Sequence, residues 1–146
     1  VRLIAVSPNL QSVQLACNNL SNHGIELVSN ACFSQLQVCD LENNKIGMEG
    51  AQSLAANLQD TRCTIATLIL NHNHIKDDGV KAIAEALKLN NTLKCLELEF
   101  NHITERGMHL FHDVLREGEN STIQTLRLFE LDDYDHDMDE YPAGHV

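Results

Sequence analysis

The sequence predicts an α/β fold in which short strands and helices alternate and stack into a curved, right-handed solenoid. Two observations support this prediction. One pattern recurs with a spacing of 26 to 29 residues, and within each copy the apolar residues first alternate and then recur at helical spacing. A strand–helix unit of this size cannot bury its own apolar face, whereas stacked neighbours can. The 146 residues hold about four copies and one additional strand.

An asparagine marks each copy of the pattern. Apolar side chains stand eight, five and three residues before it and two residues after it, as Ile65, Leu68, Leu70 and Ile75 do around Asn73. The amide side chain offers two donors and an acceptor, so we expect it to hold the backbone of the turn that leaves each strand. A fifth copy begins at residue 123 but has leucine at 131 in place of asparagine. The predicted asparagine ladder consists of Asn18, Asn44, Asn73 and Asn101.

The alternating part of each copy predicts a short strand with one face in the core and the other outward. The part that follows predicts an amphipathic helix. The first copy is short, with 15 residues between Leu20 and Leu36, so we expect its helix to lose about one turn. The expected strands lie near residues 13–15, 38–41, 67–70, 95–98 and 125–128. The expected helices lie near residues 22–33, 48–58, 77–88 and 105–116.

A glycine stands four residues after the last apolar residue of each motif. Glycine lacks a Cβ atom and tolerates a positive φ, so this position predicts either close packing or a left-handed backbone where each helix begins. The sequence leaves both possibilities open. The four glycines are Gly24, Gly50, Gly79 and Gly107.

The motif resembles the ribonuclease-inhibitor-like subfamily of leucine-rich repeats. The resemblance covers residues 10–131 and is clearest in residues 41–51 and 90–93. It implies a solenoid segment with parallel strands on a concave face and helices on a convex face. Proteins similar in this way include ribonuclease inhibitors, immune-receptor sensor arms, Ran GTPase activators and cytoskeletal or ciliary scaffolds. We therefore expect a leucine-rich repeat domain over residues 1–131 and an acidic tail or cap over residues 132–146.

The outward side chains of the strands, with the residues that follow them, predict a partner-binding surface on the concave face. Four carboxylates and one arginine would surround three apolar side chains, and an apolar centre bordered by charge is typical of interaction hot spots. Such a surface favours a basic protein partner. The alternative is a solvated strand face that binds nothing. The predicted partner-binding residues are Asp40, Glu42, Ile69, Asn71, Glu97, Glu99, Phe100, Arg127 and Phe129.

The leading functional hypothesis is a non-catalytic scaffold that binds another protein through this face. Two alternatives stay open: a regulator of an enzyme, such as a Ran-type GTPase activator or a nuclease inhibitor, and a structural subunit of a cytoskeletal or ciliary assembly. No motif of the GTPase activators can be matched here residue by residue. The sequence also shows no nucleophile–base pair and no glycine-rich phosphate loop, so we expect neither catalysis nor a cofactor.

The net charge of −11 is unevenly placed. Residues 130–140 hold seven acids and no lysine or arginine, which leaves 14 acids against ten basic residues in the rest of the chain. Nucleic acid is disfavoured as a partner, because binding to phosphate needs a basic stripe. No apolar run of 18 residues occurs, so we expect no membrane span.

The five cysteines show no C-x-x-C pair and no zinc spacing. Reduced thiols of this kind favour an intracellular location, in the cytoplasm or nucleus. Residues 1–6 are too short for a signal-peptide core. The chain also lacks an initiator methionine, so we expect either a fragment of a longer protein or a processed chain.

Two features resemble metal sites, and we favour a simpler interpretation of both. Five histidines could supply ligands: His72, His74, His102, His109 and His112. His109 and His112 share a predicted helix face, but zinc needs three or four converging ligands, so solvated surface histidines are the favoured interpretation. Residues 133–140 resemble half of a calcium loop. They lack the glycine of the sharp turn and the bidentate glutamate, so a disordered or capping acidic segment is favoured.

Overall fold

Short strands alternate with helices throughout the computed structural model, which describes residues 7, 9–116, 118 and 120–128. The strands are β1 (Ser12–Gln14), β2 (Val38–Asp40), β3 (Thr67–Ile69), β4 (Cys95–Glu97) and β5 (Thr125–Arg127). The helices are α1 (Asn22–Cys32), α2 (Met48–Leu58), α3 (Lys76–Leu87) and α4 (Glu105–Arg116). The predicted tail over 132–146 lies outside the described residues.

The strands form one parallel sheet in the order β1-β2-β3-β4-β5. In neighbouring strands, residues at equivalent positions of the repeat pair with each other, as Cys39 pairs with Leu68 and Leu68 with Leu96. Parallel neighbours need a crossover connection. Here each crossover contains one helix, and α1 packs on α2, α2 on α3, and α3 on α4. The α/β solenoid predicted from the repeat pattern is therefore confirmed.

The core lies between the sheet and the helices. Its inward strand residues Cys39, Leu68 and Leu96 are fully buried, and the helices add residues such as Leu54 and Ile83. The equivalent residues of the first and last described strands are only half-buried and pack against the edge of this core. Burial therefore depends on having a neighbour on each side, as expected when repeats supply one another's core.

Three asparagines of the predicted ladder are buried and join neighbouring repeats. The Asn73 amide nitrogen donates to the carbonyls of Leu41 (3.1 Å) and Leu70 (2.9 Å), and its Oδ1 accepts from the Ile46 N–H (3.1 Å). Asn44 and Asn101 repeat this geometry. Asn18, in the first described repeat, is exposed and donates to the Ala16 carbonyl.

Two further asparagines, Asn90 and Asn120, tie the segments before β4 and β5 to the preceding repeat, and sequence analysis did not predict this role. Asn120 Nδ2 donates to the carbonyls of Leu87 (2.6 Å) and Asn90 (2.9 Å) in the preceding repeat, and its Oδ1 accepts from the Ile123 N–H (3.0 Å). Asn90 makes the equivalent contact with Leu58. The signal was present, because Asn-x-Thr followed by an apolar residue recurs at 90–93 and 120–123.

The preceding repeat also supplies hydrogen bonds where two of the helices begin. Oδ1 of Asn22 accepts from the Gly47 N–H just before α2 (2.7 Å). The Asp77 carboxylate accepts from the Thr104 hydroxyl (2.6 Å) and the Thr104 N–H (2.9 Å) just before α4. The hydroxyl hydrogen bond is the main reason that the pKa of Asp77 is lowered. These contacts have the chemistry of helix N-caps but act between repeats.

None of the four motif glycines has a positive φ, so that predicted alternative is wrong, and Gly50, Gly79 and Gly107 serve close packing. A Cβ atom on Gly79 would stand 2.7 Å from Ile75 Cγ2 and 3.0 Å from Ala51 Cβ in the neighbouring helix. At Gly24 the nearest atom would be Leu20 Cδ2, at 3.3 Å. Glycine is therefore required where a helix begins against a preceding helix.

The prediction that the first helix is shortened is wrong. Helix α1 has 11 residues, as many as α2. The first repeat is shorter than the others because its loop is shorter. Only residues 33–35 separate α1 from the next consensus apolar residue, Leu36. The N–H groups of Gln35 and Leu36 both donate to the Cys32 carbonyl, which makes this turn tight.

We predict that Asn73→Ala lowers the free energy of unfolding by roughly 1–3 kcal/mol, because buried backbone groups on two turns lose their partners. His74→Ala is the control, since His74 is exposed and has an ordinary φ. It is expected to change stability by less than about 0.5 kcal/mol. Urea unfolding measures both, and equal effects would contradict the bridging role of Asn73.

We also predict that Gly79→Ala destabilises the protein by about 1–3 kcal/mol, because its Cβ atom would overlap a fixed Cβ of the neighbouring helix. Gly24→Ala is the matched control, because its nearest neighbour is a flexible leucine side chain. There the better helix propensity of alanine should leave stability unchanged or raise it by up to about 1 kcal/mol. Thermal unfolding of the two variants separates close packing from helix propensity.

Candidate protein-binding face

The sheet has an open face, which we define as the outward side chains of β1–β5 and of the residues immediately after each strand. It lies opposite the buried strand residues, because side chains alternate along a strand. The register aligns two rows across the sheet. The first row is Ser12, Val38, Thr67, Cys95 and Thr125, and the second is Gln14, Asp40, Ile69, Glu97 and Arg127.

A third row follows two residues later and contains Glu42, Asn71 and Glu99. Hydrogen bonds between neighbouring loops continue the parallel pattern beyond the strands, from the Asn43 N–H to the Asn71 carbonyl and from the His72 N–H to the Glu99 carbonyl. The third row therefore belongs to the same ordered surface. Phe129, which was predicted to contribute to it, lies outside the described residues.

Glu97 is an internally paired carboxylate. Its oxygens accept from Asn71 Nδ2 (3.0 Å) and lie 3.5 Å from Arg127 Nη1, and only 16% of its side-chain surface is exposed. Oδ1 of Asn71 accepts from the Glu99 N–H (2.9 Å), and Asn71 is buried. Burial and then the charge of Glu97 raise the pKa of the adjacent Cys95 thiol. Three predicted contact residues thus pair with one another, and the acidic patch is smaller than predicted.

Glu42 and Glu99 are half-buried, and within the part of the chain that the structure describes their carboxylates have no ion-pair or hydrogen-bond partner. They flank Asn71, two strand spacings apart, which corresponds to roughly 10 Å between their Cα atoms. Asp40 is also half-buried, and its Oδ1 accepts from the Glu42 N–H (3.0 Å). Half-buried Ile69 occupies the second row between Asp40 and Glu97.

Two stacked pairs of aromatic rings lie in the loops that follow β3 and β4. Phe100 stacks on His72 with ring centroids 4.3 Å apart and planes 6° apart. His74 stacks on His102 at 5.9 Å and 15°. All four residues are exposed, Phe100 by 41%. Sequence analysis predicted Phe100 as a contact residue but did not predict the stacking, although the residues of each pair are separated by one repeat of 28 residues.

The remaining titratable side chains form no metal site in the described segments, where no three histidine, cysteine, aspartate or glutamate side chains converge. His109 and His112 meet edge-to-face on α4, on the helix side of the molecule. The buried Cys39 thiol has its pKa raised to about 12, first by burial and then by neighbouring Cys32 and Asp40. It is therefore a protonated core residue. The described helices include none with the length and apolar character of a membrane span.

A family model for leucine-rich repeats matches residues 6–29, 36–55, 63–84 and 89–110. These four segments cover more than half of the chain and coincide with four of its strand–helix repeats. This chain belongs to the leucine-rich repeat family. The family predicted from the asparagine-centred motif is therefore confirmed.

Two curated relatives show where such repeats occur. The chain is 34% identical over 110 residues to mouse NACHT, LRR and PYD domains-containing protein 5, and this alignment covers 74% of this chain and 10% of that protein. It is 29% identical over 124 residues to mouse ribonuclease inhibitor, covering 80% and 27% respectively. The chain thus spans only a small part of each relative's length.

A solved structure shares the fold. The leiomodin-1 actin-binding site 2 superposes with a TM-score of 0.79 at 24% identity, covering 89% of this chain and 76% of that one. At this identity the similarity concerns the fold alone. Leucine-rich repeat arrays present extended surfaces on which partner proteins bind, so the chain is a protein-interaction module.

We predict that Glu97→Ala lowers the free energy of unfolding by about 1 kcal/mol, because Asn71 and Arg127 lose a charged partner. Glu42→Ala and Glu99→Ala should each change it by less than about 0.5 kcal/mol. Chemical unfolding of the three variants tests the distinction. A cost for Glu42 or Glu99 equal to that for Glu97 would show that these carboxylates are also structural.

Proposed function

We propose that this leucine-rich repeat array is a non-catalytic recognition module that binds a partner protein with a basic surface on its open face. The observation that supports this most directly is the placement of Glu42 and Glu99, whose carboxylates have no internal partner in the described region. Nearby, Ile69 is half-buried and Phe100 is exposed. Apolar anchors beside charge are the usual composition of an interaction hot spot.

The backbone beneath these side chains is fixed before any partner arrives. The carbonyls of Glu42 and Glu99 accept from the amides of Asn44 (3.1 Å) and Asn101 (3.2 Å), which are buried members of the asparagine ladder. A preorganised surface loses little conformational entropy on binding. This rigidity favours recognition of a folded or extended partner that adapts to the array.

The charge of the described open face supports a basic partner. Asp40, Glu42 and Glu99 add three negative charges, while the charges of Glu97 and Arg127 compensate each other. Unequal charge of this kind mainly accelerates association and selects among partners. Its influence declines as salt increases, because exposed charges are screened within about 8–10 Å.

A photo-crosslinking amino acid at Thr67, on the open face, would capture the partner, with the same group at exposed Lys81 of α3 as the control. Proteins captured at Thr67 and not at Lys81 are then purified for binding measurements. We expect Glu42→Lys with Glu99→Lys to slow association by about tenfold or more at low salt, and the deficit to shrink at high salt.

The matched control reverses two exposed carboxylates on the helices, Glu85→Lys and Asp113→Lys, which changes the net charge equally. This control should bind at nearly the original rate. An equal loss in both double variants would show a dependence on net charge alone and contradict the proposed face. Deleting residues 132–146 tests the acidic tail, and loss of binding only in that deletion would assign recognition to the tail.

Regulation of an enzyme is a second candidate, favoured by the identity to ribonuclease inhibitor over 80% of this chain. Inhibition of a pancreatic-type ribonuclease by the purified chain would support it, and unchanged ribonuclease activity at saturating chain would contradict it. Co-sedimentation with actin filaments tests the remaining alternative, a cytoskeletal role, in the same purified system.

A further inference from the structure

One position of the repeat has a positive φ in every described copy. It is the residue before each ladder asparagine: Cys17 (φ 59°), Asn43 (50°), His72 (55°) and Phe100 (57°). The turn that leaves the strand therefore imposes a left-handed backbone here, whatever the side chain. Asparagine, as at Asn43, is a residue that tolerates this conformation, whereas a bulky aromatic residue is a rare choice.

The fold does not explain why Phe100 stands at this position. Its side chain is not part of the core, and 41% of its surface is exposed. Among the described residues its aromatic contact is with His72 of the preceding repeat, in a nearly parallel stack with ring centroids 4.3 Å apart. The result is an exposed pair of stacked rings on a turn whose backbone is fixed. A small polar residue at position 100 would adopt this left-handed backbone at a lower cost in free energy.

The residue that precedes Phe100 in the chain, Glu99, carries a carboxylate that has no internal partner among the described residues. Its backbone is fixed by hydrogen bonds to Asn71 Oδ1 (2.9 Å) and from His72 N–H (2.9 Å). Arg127, the cation of the second row, lies 3.5 Å from Glu97. An aromatic plane beside an available carboxylate is complementary to a cation.

A site made of stacked rings and a carboxylate distinguishes arginine from lysine. A guanidinium is planar, so it can stack on an aromatic ring while its edge donates two parallel hydrogen bonds to a carboxylate. An ammonium is a compact, strongly hydrated point charge and gains less from the flat surface. Stacked rings next to Glu99 therefore favour arginine.

We propose that the His72–Phe100 pair and Glu99 together bind an arginine side chain presented by the partner protein. This inference rests on the proposed function of the open face and specifies one contact within it. An aromatic side chain could stack on the same rings but would gain nothing from the carboxylate. The acidic surroundings, Asp40 and Glu42, also favour the cation.

Hexa-arginine and hexa-lysine peptides, which carry equal charge, are suitable probes for the full chain. We expect the arginine peptide to bind about two- to fivefold more tightly by calorimetry, as a cation–π contact at an exposed site implies. It should also shift the nuclear magnetic resonance signals of the Phe100 ring. Phe100→Leu should remove the preference, and Phe100→Tyr, which keeps the ring, should preserve it.

Two further variants separate the contributions. Glu99→Gln should weaken binding of both peptides and reduce the advantage of arginine, because the bidentate contact is lost. His112→Leu is the control, since His112 and His109 form another exposed pair of rings beside an acid, Asp113, on α4. That change should leave the arginine preference unaltered. Circular dichroism confirms that each variant is folded.

Equal affinity of the two peptides for the unmodified chain would overturn the inference, as would a preference that survives Phe100→Leu. If both peptides bind equally and Glu42→Lys with Glu99→Lys weakens both, the basic-partner proposal stands and the arginine site alone is wrong. Absence of binding by either peptide also overturns the arginine site, while the crosslinking at Thr67 still tests the open face independently.

Discussion

The Asn73 side chain joins two repeats through their backbones, and the rest of the architecture depends on contacts of this kind. It donates to the Leu41 carbonyl in one repeat and to the Leu70 carbonyl in its own, while its oxygen accepts from the Ile46 N–H. One side chain therefore satisfies buried polar groups on two turns, which would otherwise destabilise the stack. At the first described repeat the equivalent Asn18 is exposed and makes a local contact.

The same turn that buries the asparagine also fixes the position of one exposed side chain. To direct the asparagine inward, the chain adopts a left-handed conformation one residue earlier, and the side chain of that residue remains at the surface. Each repeat thus presents one outward side chain at a fixed place beside the open face. Sequence changes at this position alter the surface without entering the core, and His72 and Phe100 occupy it in consecutive repeats.

The periodic part of this structure could be predicted from the sequence because periodic contacts join equivalent positions. The burial of Leu68 and Leu96 follows directly from their place in the motif. The pairing of Glu97 could not be predicted from the motif. Its partners Asn71 and Arg127 lie in neighbouring repeats, at outward positions where the residue type differs from repeat to repeat, and only the strand register brings them next to Glu97. The length of α1 was mispredicted for a related reason, since a tight turn at Cys32 shortens the loop and leaves the helix intact.

The separation between the periodic core and the outward positions that differ between repeats determines how the effects of substitutions on the open face should combine. The core and the buried asparagines fix the strands. In the proposed binding mode a partner therefore contacts side chains on a backbone that adjusts little, and each contact acts locally. Glu42 and Glu99 are roughly 10 Å apart, a distance at which independent sites usually contribute additively. Glu99 and Phe100 are neighbours on one turn, so we expect their contributions to the proposed binding of one cation to depend on each other. In the proposed binding mode, recognition therefore combines small clusters, each within one or two repeats, while the asparagines set the distances between them.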